Sequence, residues 1–346
     1  MVDSRSHLNE AVFDVFDFLL LAQTGAMHTK LPMKSSIPTL PPSKFTNRRT
    51  LCLDMDDTLT LMCVDGSDGL LAINPVIDPD TFVISRENPN ERGFVYLRPY
   101  LRTFLEAVSR IYEVVVFTAA CQDYADQILD FIDPYKRLFH YRLYRDSCVQ
   151  CIPNPQSPDI KVYVKDLRVL GRDLGNVILV DNSLQCFAYQ LDGGILCNPY
   201  KGDPQDAELI SILEVLGFVN RNPEDHVGHI LKKMYGISDL LREYKSKGGR
   251  EGVRRINAVP WKEVHEYATP KKDLMYPDED TNFSQTYPFS VEKRPGRKET
   301  SARIVYNHRG TCTGENHPYE IKSESAPRRR LSLVPSATFR ASLGGG

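Results

Sequence analysis

The chain has 346 residues, 41% hydrophobic and 25% charged, which suits one globular domain of ordinary size with extensions. A formal net charge of only -2 gives the chain as a whole no field that calls for direct nucleic-acid binding. Its eight cysteines lack the density of a secreted disulfide framework, so reduced thiols in a nuclear or cytoplasmic compartment are expected.

In chain order, the first apolar stretch is Leu8 to Ala22. It carries Glu10, Asp14 and Asp17, so it is too short and too charged to span a bilayer, and an amphipathic helix is expected instead. No secretory signal is seen, and the acids argue against a mitochondrial presequence. Residues 29 to 48, with Pro32, Pro38, Pro41 and Pro42, read as an extended linker to the first strand. The expected organisation is therefore a helix and linker over 1-48, a folded domain over 49-245, and a largely disordered tail over 246-346.

The stretch Leu51 to Thr60 reads Leu-Cys-Leu-Asp-Met-Asp-Asp-Thr-Leu-Thr. An apolar run ends in two carboxylates one residue apart, Asp54 and Asp56, with a hydroxyl at Thr58. In isolation Asp-x-Asp reads as a surface turn. Directly after a buried strand it sits where open α/β sheets bind ligands. Such a pair beside a phosphate implies a hard divalent cation with oxygen ligands, Mg²⁺ above all, because carboxylates alone would repel the anion. One carboxylate can then act as nucleophile, while the other donates a proton to the leaving oxygen and later activates water.

An insertion follows, about Cys63 to Arg92, rich in Gly and Pro and expected to hold one short strand around Thr81 to Ile84. Arg98-Pro99 opens a helix with Leu101, Phe104, Leu105 and Val108 on one face. A buried strand, Val114 to Phe117, ends at Thr118, next to a helix beginning near Asp123; the Thr118 hydroxyl is a candidate hydrogen-bond donor to a phosphate oxygen or, more blandly, a helix cap. His140 to Arg145 alternates like a strand. Cys148 and Cys151 form a Cys-x-x-Cys pair without a second such pair to complete a zinc site, and His226 and His229 read as surface residues. Lys165 can neutralise a phosphate and hold an attacking carboxylate, although a lysine beside Asp166 is more often a solvated pair. Another apolar run, Asn176 to Val180, ends in Asp181-Asn182-Ser183, adding oxygen ligands at a second strand end. Helices are expected from Pro204 to about Leu216 and from about Pro223 to Tyr244. Residues 291 to 346 hold eleven Lys or Arg against five Asp or Glu, a net +6 that suits acidic partners.

Asp54-Met-Asp56-Asp57-Thr58 resembles the aspartyl-nucleophile motif of the haloacid-dehalogenase superfamily. Five further groups narrow the likeness to the carboxy-terminal-domain phosphatase family, also called nuclear-LIM-interactor-interacting-factor-like phosphatases. They are Leu97-Arg98-Pro99, Val116-Phe117-Thr118-Ala119, Tyr144-Arg145-Asp146-Ser147-Cys148, Tyr163-Val164-Lys165-Asp166-Leu167 and Val180-Asp181-Asn182-Ser183, in the family's order. The resemblance implies a three-layer α/β fold with a mainly parallel sheet and no full cap domain, so the open site admits a peptide. It implies a Mg²⁺-dependent protein-serine/threonine phosphatase working through an aspartyl phosphate. Asp54 is then the nucleophile and Asp56 the acid and base; Thr118, Lys165 and Arg145 bind the phosphate, and Thr58 and Asp181 give support. Asp54, Asp56 and Asn182 hold the metal, and Cys148 is core. The RNA polymerase II tail is the family's best-known substrate, and no residue here specifies it. The rival readings are a non-catalytic binding module of the same fold and a small-metabolite phosphatase. Leu184 stands where many relatives have proline, and Ala120 where a serine is common.

Overall fold

The computed structural model describes residues 15–25, 28–30, 39–64, 79–84, 92–156, 158–249, 290–292 and 303–305. The strands up to residue 97 are β1 (His28–Lys30), β2 (Thr50–Leu53), β3 (Thr60–Val64), β4 (Thr81–Ile84) and β5 (Arg92–Leu97). They are followed by β6 (Glu113–Phe117), β7 (Tyr141–Leu143), β8 (Val149–Ile152), β9 (Val162–Val164), β10 (Val177–Asp181) and β11 (Gly194–Leu196).

The three apolar runs of the sequence become the centre of a five-stranded sheet in the order β7-β6-β2-β10-β11, parallel throughout. Every residue of β2, β6 and β10 is buried, which is why these runs show no polar alternation. From β2 the chain moves outward through β6 to β7, then returns to the other side of β2 for β10 and β11. That reversal between β2 and β10 opens a crevice at the carboxyl ends of the central strands.

Helix α1 covers residues 15–24. It is followed by α2 (Leu101–Ile111), α3 (Gln122–Ile132), α4 (Glu208–Arg221), α5 (Val227–Tyr235) and α6 (Ile237–Ser246). α2 buries Leu101, Phe104, Leu105 and Val108, the face that the spacing predicts. Its end meets α4 where Tyr112 OH donates to Leu216 O at 2.7 Å.

Three expectations need correction. The helix after Pro204 starts only at Glu208 and runs on to Arg221. Asp203 and Asp206 accept from the amides of Gln205 (2.8 Å) and Glu208 (3.0 Å), holding the chain in turns before the helix begins. The single helix expected from Pro223 to Tyr244 is two, because Gly236 at φ 68 ends α5 and turns the chain into α6. The insertion holds its expected strand as β4, but both flanks also pair, giving a three-stranded antiparallel sheet β3-β5-β4.

The N-terminal segment is woven into the same body. α1 buries Phe16, Phe18, Leu19 and Ala22, Tyr244 OH donates to Asp17 Oδ1 at 2.8 Å, and the Phe16 and Tyr244 rings lie 5.2 Å apart. β1 pairs antiparallel with β8, and β8 with β9. Beyond residue 249 only two short strands are described, Ser290–Glu292 and Arg303–Val305, paired antiparallel. The rest of the expected tail lies outside the described residues. No helix among the described residues is long and apolar enough to cross a membrane.

Candidate active site

β2 stops at Leu53, yet the Asp54 amide still donates to Val180 O at 3.0 Å, so the Asp54 side chain leaves the sheet at the crevice. The chain then turns sharply. Leu59 N and Thr60 N both donate to Met55 O (2.9 and 3.0 Å), and Asp57 N donates to Thr60 O at 2.7 Å with Asp57 at φ 56. Thr58, fully buried beneath the loop, donates from Oγ1 to Asp54 Oδ2 at 3.0 Å.

Arg98 holds this loop from below. Its guanidinium donates to Thr58 O (3.0 Å), to Asn198 O (2.9 Å) and through two bonds of 2.8 Å to Asp206, while its amide donates to Leu59 O (3.0 Å). It is 1% exposed, so it acts as a staple rather than as a site residue.

Lys165, one residue past β9, is 1% exposed and lies between two carboxylates: its Nζ donates to Asp54 Oδ1 at 2.5 Å and to Asp181 Oδ2 at 2.6 Å. Asp181, the last residue of β10, also accepts from Ser183 N at 2.8 Å. Asp56 is anchored from α3, where Tyr124 OH donates to its Oδ1 at 2.7 Å. Thr118, one residue past β6, accepts at Oγ1 from Ala120 N at 3.0 Å. Arg145 donates from Nε to Ala119 O at 2.6 Å and lies 5.1 Å over the Tyr163 ring.

These positions converge. Asp54, Asp56, Thr118, Arg145, Lys165, Asp181 and Asn182 line one cavity of about 590 Å³ at the sheet's carboxyl edge. Thr58 alone of the predicted set lies under Asp54 rather than in the cavity wall.

Burial pushes Asp54 above the usual carboxylate range; Lys165 opposes this, and the negative charge of Asp181 adds to it. Burial likewise raises Asp56, against the Tyr124 hydrogen bond. For Lys165 burial works downward, but Asp181 and Asp54 outweigh it and hold the ammonium well above its ordinary value. Burial pushes the Cys148 thiol up to about 12, in keeping with a core residue rather than a nucleophile. His226 caps α5 by accepting from Gly228 N at 3.0 Å, which accounts for one of the two surface histidines.

The donor set fits a hard cation. Four carboxylates, Asp54, Asp56, Asp57 and Asp181, face two cationic side chains, Lys165 and Arg145, so the cavity wall carries a formal charge of -2. An incoming phosphate meets that excess, and a cation among these oxygen donors would relieve it. Among the described residues no three His, Cys, Asp or Glu gather as a metal cluster. Mg²⁺ does not require one, because it retains waters and takes few protein ligands.

Comparison with known proteins identifies the class. The chain matches the NLI interacting factor-like phosphatase family over residues 49–227. It is 34% identical over 223 residues to CTD small phosphatase-like protein 3 of Caenorhabditis elegans, covering 64% of this chain and 72% of that one. It is 36% identical over 218 residues to CTD small phosphatase-like protein 2 of Dictyostelium discoideum, covering 62% of this chain but only 34% of that one. The fission yeast RNA polymerase II CTD phosphatase Fcp1 bound to beryllium fluoride overlaps 62% of this chain and 68% of its own, at 18% identity and a TM-score of 0.35. The parallel sheet, its crevice and the sequence relatives make this a domain of the phosphatase class. The chain belongs to the NLI interacting factor-like phosphatase family.

Two residues, one beneath the site and one in its wall, carry parts that the sequence does not assign. The sequence places Arg98 at a helix start and in the Leu97-Arg98-Pro99 motif without giving it a contact, because its partners at 198 and 206 are a hundred residues away. Tyr124 follows the expected helix start by one position, and an aromatic hydroxyl on the first turn of a helix facing the crevice is the signal that finds it.

Proposed function

We propose that the protein is a Mg²⁺-dependent phosphatase of phosphoserine and phosphothreonine in proteins, working through a phosphoryl group carried on Asp54 in a nuclear or cytoplasmic setting. The observation that carries the reading is the juxtaposition of Asp54, Asp56, Thr118 and Lys165 around one open cavity, with Lys165 Nζ 2.5 Å from Asp54 Oδ1.

Asp54 attacks phosphorus. Its second oxygen is fixed by Thr58 and its first by Lys165, so the carboxylate is oriented before substrate arrives. The bond from phosphorus to the serine oxygen breaks as the Asp54 bond forms, and Asp56 donates its proton to that leaving oxygen. In the second half Asp56 takes a proton from water, which attacks the phosphoryl group and frees Asp54. Tyr124 holds one Asp56 oxygen and leaves the other for this transfer. The Thr118 hydroxyl accepts from Ala120 N and keeps its own hydrogen for a phosphate oxygen, while Lys165 and Arg145 offset its charge. Asp181 keeps Lys165 in place.

Asp54, the loop at Asp56 and Asn182 are the residues that would hold Mg²⁺. Held there, Mg²⁺ would supply positive charge against the carboxylates and the substrate phosphate. The open cavity and the small β3-β5-β4 insertion suit a peptide better than a small metabolite.

The test is phosphate release from phosphoserine peptides by purified protein, with Mg²⁺ or with EDTA, beside Asp54→Asn. Release that needs both metal and Asp54 is expected. No release from peptides or from an aryl phosphate, by folded protein in Mg²⁺, would instead favour a binding module.

A further inference from the structure

Beside the aspartate cavity lies a second one of about 310 Å³, and the two share Cys121, Arg145 and Tyr163 as common wall. Its far side comes from the N-terminal segment. Lys30 of β1 pairs with Gln150 of β8, and Gln150 with Tyr163 of β9. Residues paired across neighbouring strands project from the same face of a sheet, so Lys30, Gln150 and Tyr163 stand in one row, and all three line the cavity. Arg145 over the Tyr163 ring ends that row.

The two cavities differ in charge. The aspartate cavity is formally -2, whereas Lys30 and Arg145 face the single carboxylate Asp146 in its neighbour, leaving +1 with Arg145 counted in both. Lys30 is exposed, and among the described residues it forms no ion pair that would use up its charge. It also lies outside residues 49–227, so the family match does not supply it.

We infer that this second cavity receives an anionic side chain of the substrate, flanking the phosphoserine or phosphothreonine being hydrolysed, and that Lys30 is the cation that selects for it. The inference rests on the phosphatase reading above. A peptide whose phosphate occupies the aspartate cavity passes along the shared wall of Arg145 and Tyr163. Its neighbouring side chain then meets an ammonium, a guanidinium and the Gln150 amide, donors that suit a carboxylate or a phosphate alike. Asp or Glu and a second phosphorylated residue are the two sources of that anion.

The experiment compares kcat/KM for one phosphoserine peptide carrying a neutral residue, Glu, or a second phosphoserine on either side, with wild type, Lys30→Gln and Lys30→Arg. Wild type should prefer an anionic flank, and Lys30→Gln should reduce the anionic-over-neutral ratio roughly three- to tenfold, with Lys30→Arg retaining most of it. Added salt should lower the wild-type ratio too, since a pair this exposed is screened. If only the doubly phosphorylated peptide gains, the cavity is a phosphate site; if Glu gains as well, it takes carboxylates too. Equal kcat/KM for all flanks, or a preference that Lys30→Gln leaves untouched, overturns the inference while the phosphatase reading stands. Should no peptide be hydrolysed, that reading fails instead, and binding of the same labelled peptides by fluorescence anisotropy decides on Lys30 by the same ratio.

Discussion

Asp56 is positioned by a single phenol. Removing the Tyr124 hydroxyl leaves the ring in place but frees the carboxylate that, in the proposed reaction, meets both the leaving oxygen and the water. Tyr124→Phe should therefore lower kcat about tenfold, the usual scale for a residue that orients a reacting group, with little change in melting temperature. Steady-state kinetics beside a thermal melt checks this. At this scale most of the site is legible in the sequence. Asp54, Thr118 and Asp181 stand at or just past the ends of apolar runs, and a strand that stops at the crevice delivers its next side chain there. Arg98 was not legible, because its work depends on carbonyls and a carboxylate brought near only by folding.

At the scale of elements, β6 begins with Glu113, a carboxylate with no exposure at the opposite end of the strand from Thr118. It accepts from Ser43 Oγ (3.0 Å), Thr50 Oγ1 (2.9 Å) and Arg172 Nε (2.8 Å), tying the 39–48 segment, β2 and the loop before β10 to one point. Burial works to raise this acid, but the hydrogen bonds from Arg172, Thr50 and Ser43 outweigh it and leave it below its ordinary value of 4.5. A folded-state pKa below the unfolded one adds stability above the unfolded value, and that stability is lost as pH falls through the folded one. Urea midpoints should thus drop as pH is lowered past about 4.5, and Glu113→Gln should flatten that limb while costing about 3 kcal/mol at neutral pH.

β11 supplies a second element-scale test. A methyl group at Gly194 would run into the Phe187 ring and lie 2.8 Å from Leu179 O, the residue that Gly194 pairs with in β10. Gly194→Ala should destabilise the protein by about 3 kcal/mol in a denaturant melt, because backbone and ring must both shift. Element types were legible where periodicity was long, as in α2, and element ends were not. The break at Gly236 is set by one left-handed residue inside a continuous apolar pattern, and β3 and β5 pair through tertiary contacts rather than through any strong alternation of their own.

Across the whole chain, the parallel order β7-β6-β2-β10-β11 explains why the chemistry gathers where it does: Asp54 and Asp181 end adjacent strands at the point of reversal, and Lys165 is threaded between them. The sequence implied that arrangement through two carboxylate clusters after apolar runs. It did not reveal that α1 and β1 complete the same body, because the prolines between residues 29 and 48 read as a linker. Phe16, 1% exposed and packed on Tyr244, should cost about 3 to 5 kcal/mol when changed to alanine, which a circular-dichroism melt would register. An N-terminal helix that was merely appended would leave that melt unchanged.

In the proposed reaction phosphorus passes through Asp54. The most direct measurement is acid-quenched mass spectrometry of the protein during turnover of a phosphopeptide in Mg²⁺, with the modified residue mapped by fragmentation. A phosphoryl group on Asp54 should appear and decay within turnover, be absent from Asp54→Asn, and accumulate when Asp56→Asn is given an aryl phosphate with a good leaving group. Turnover that continues in Asp54→Asn, or a phosphoryl group mapped to any other side chain, would contradict that route.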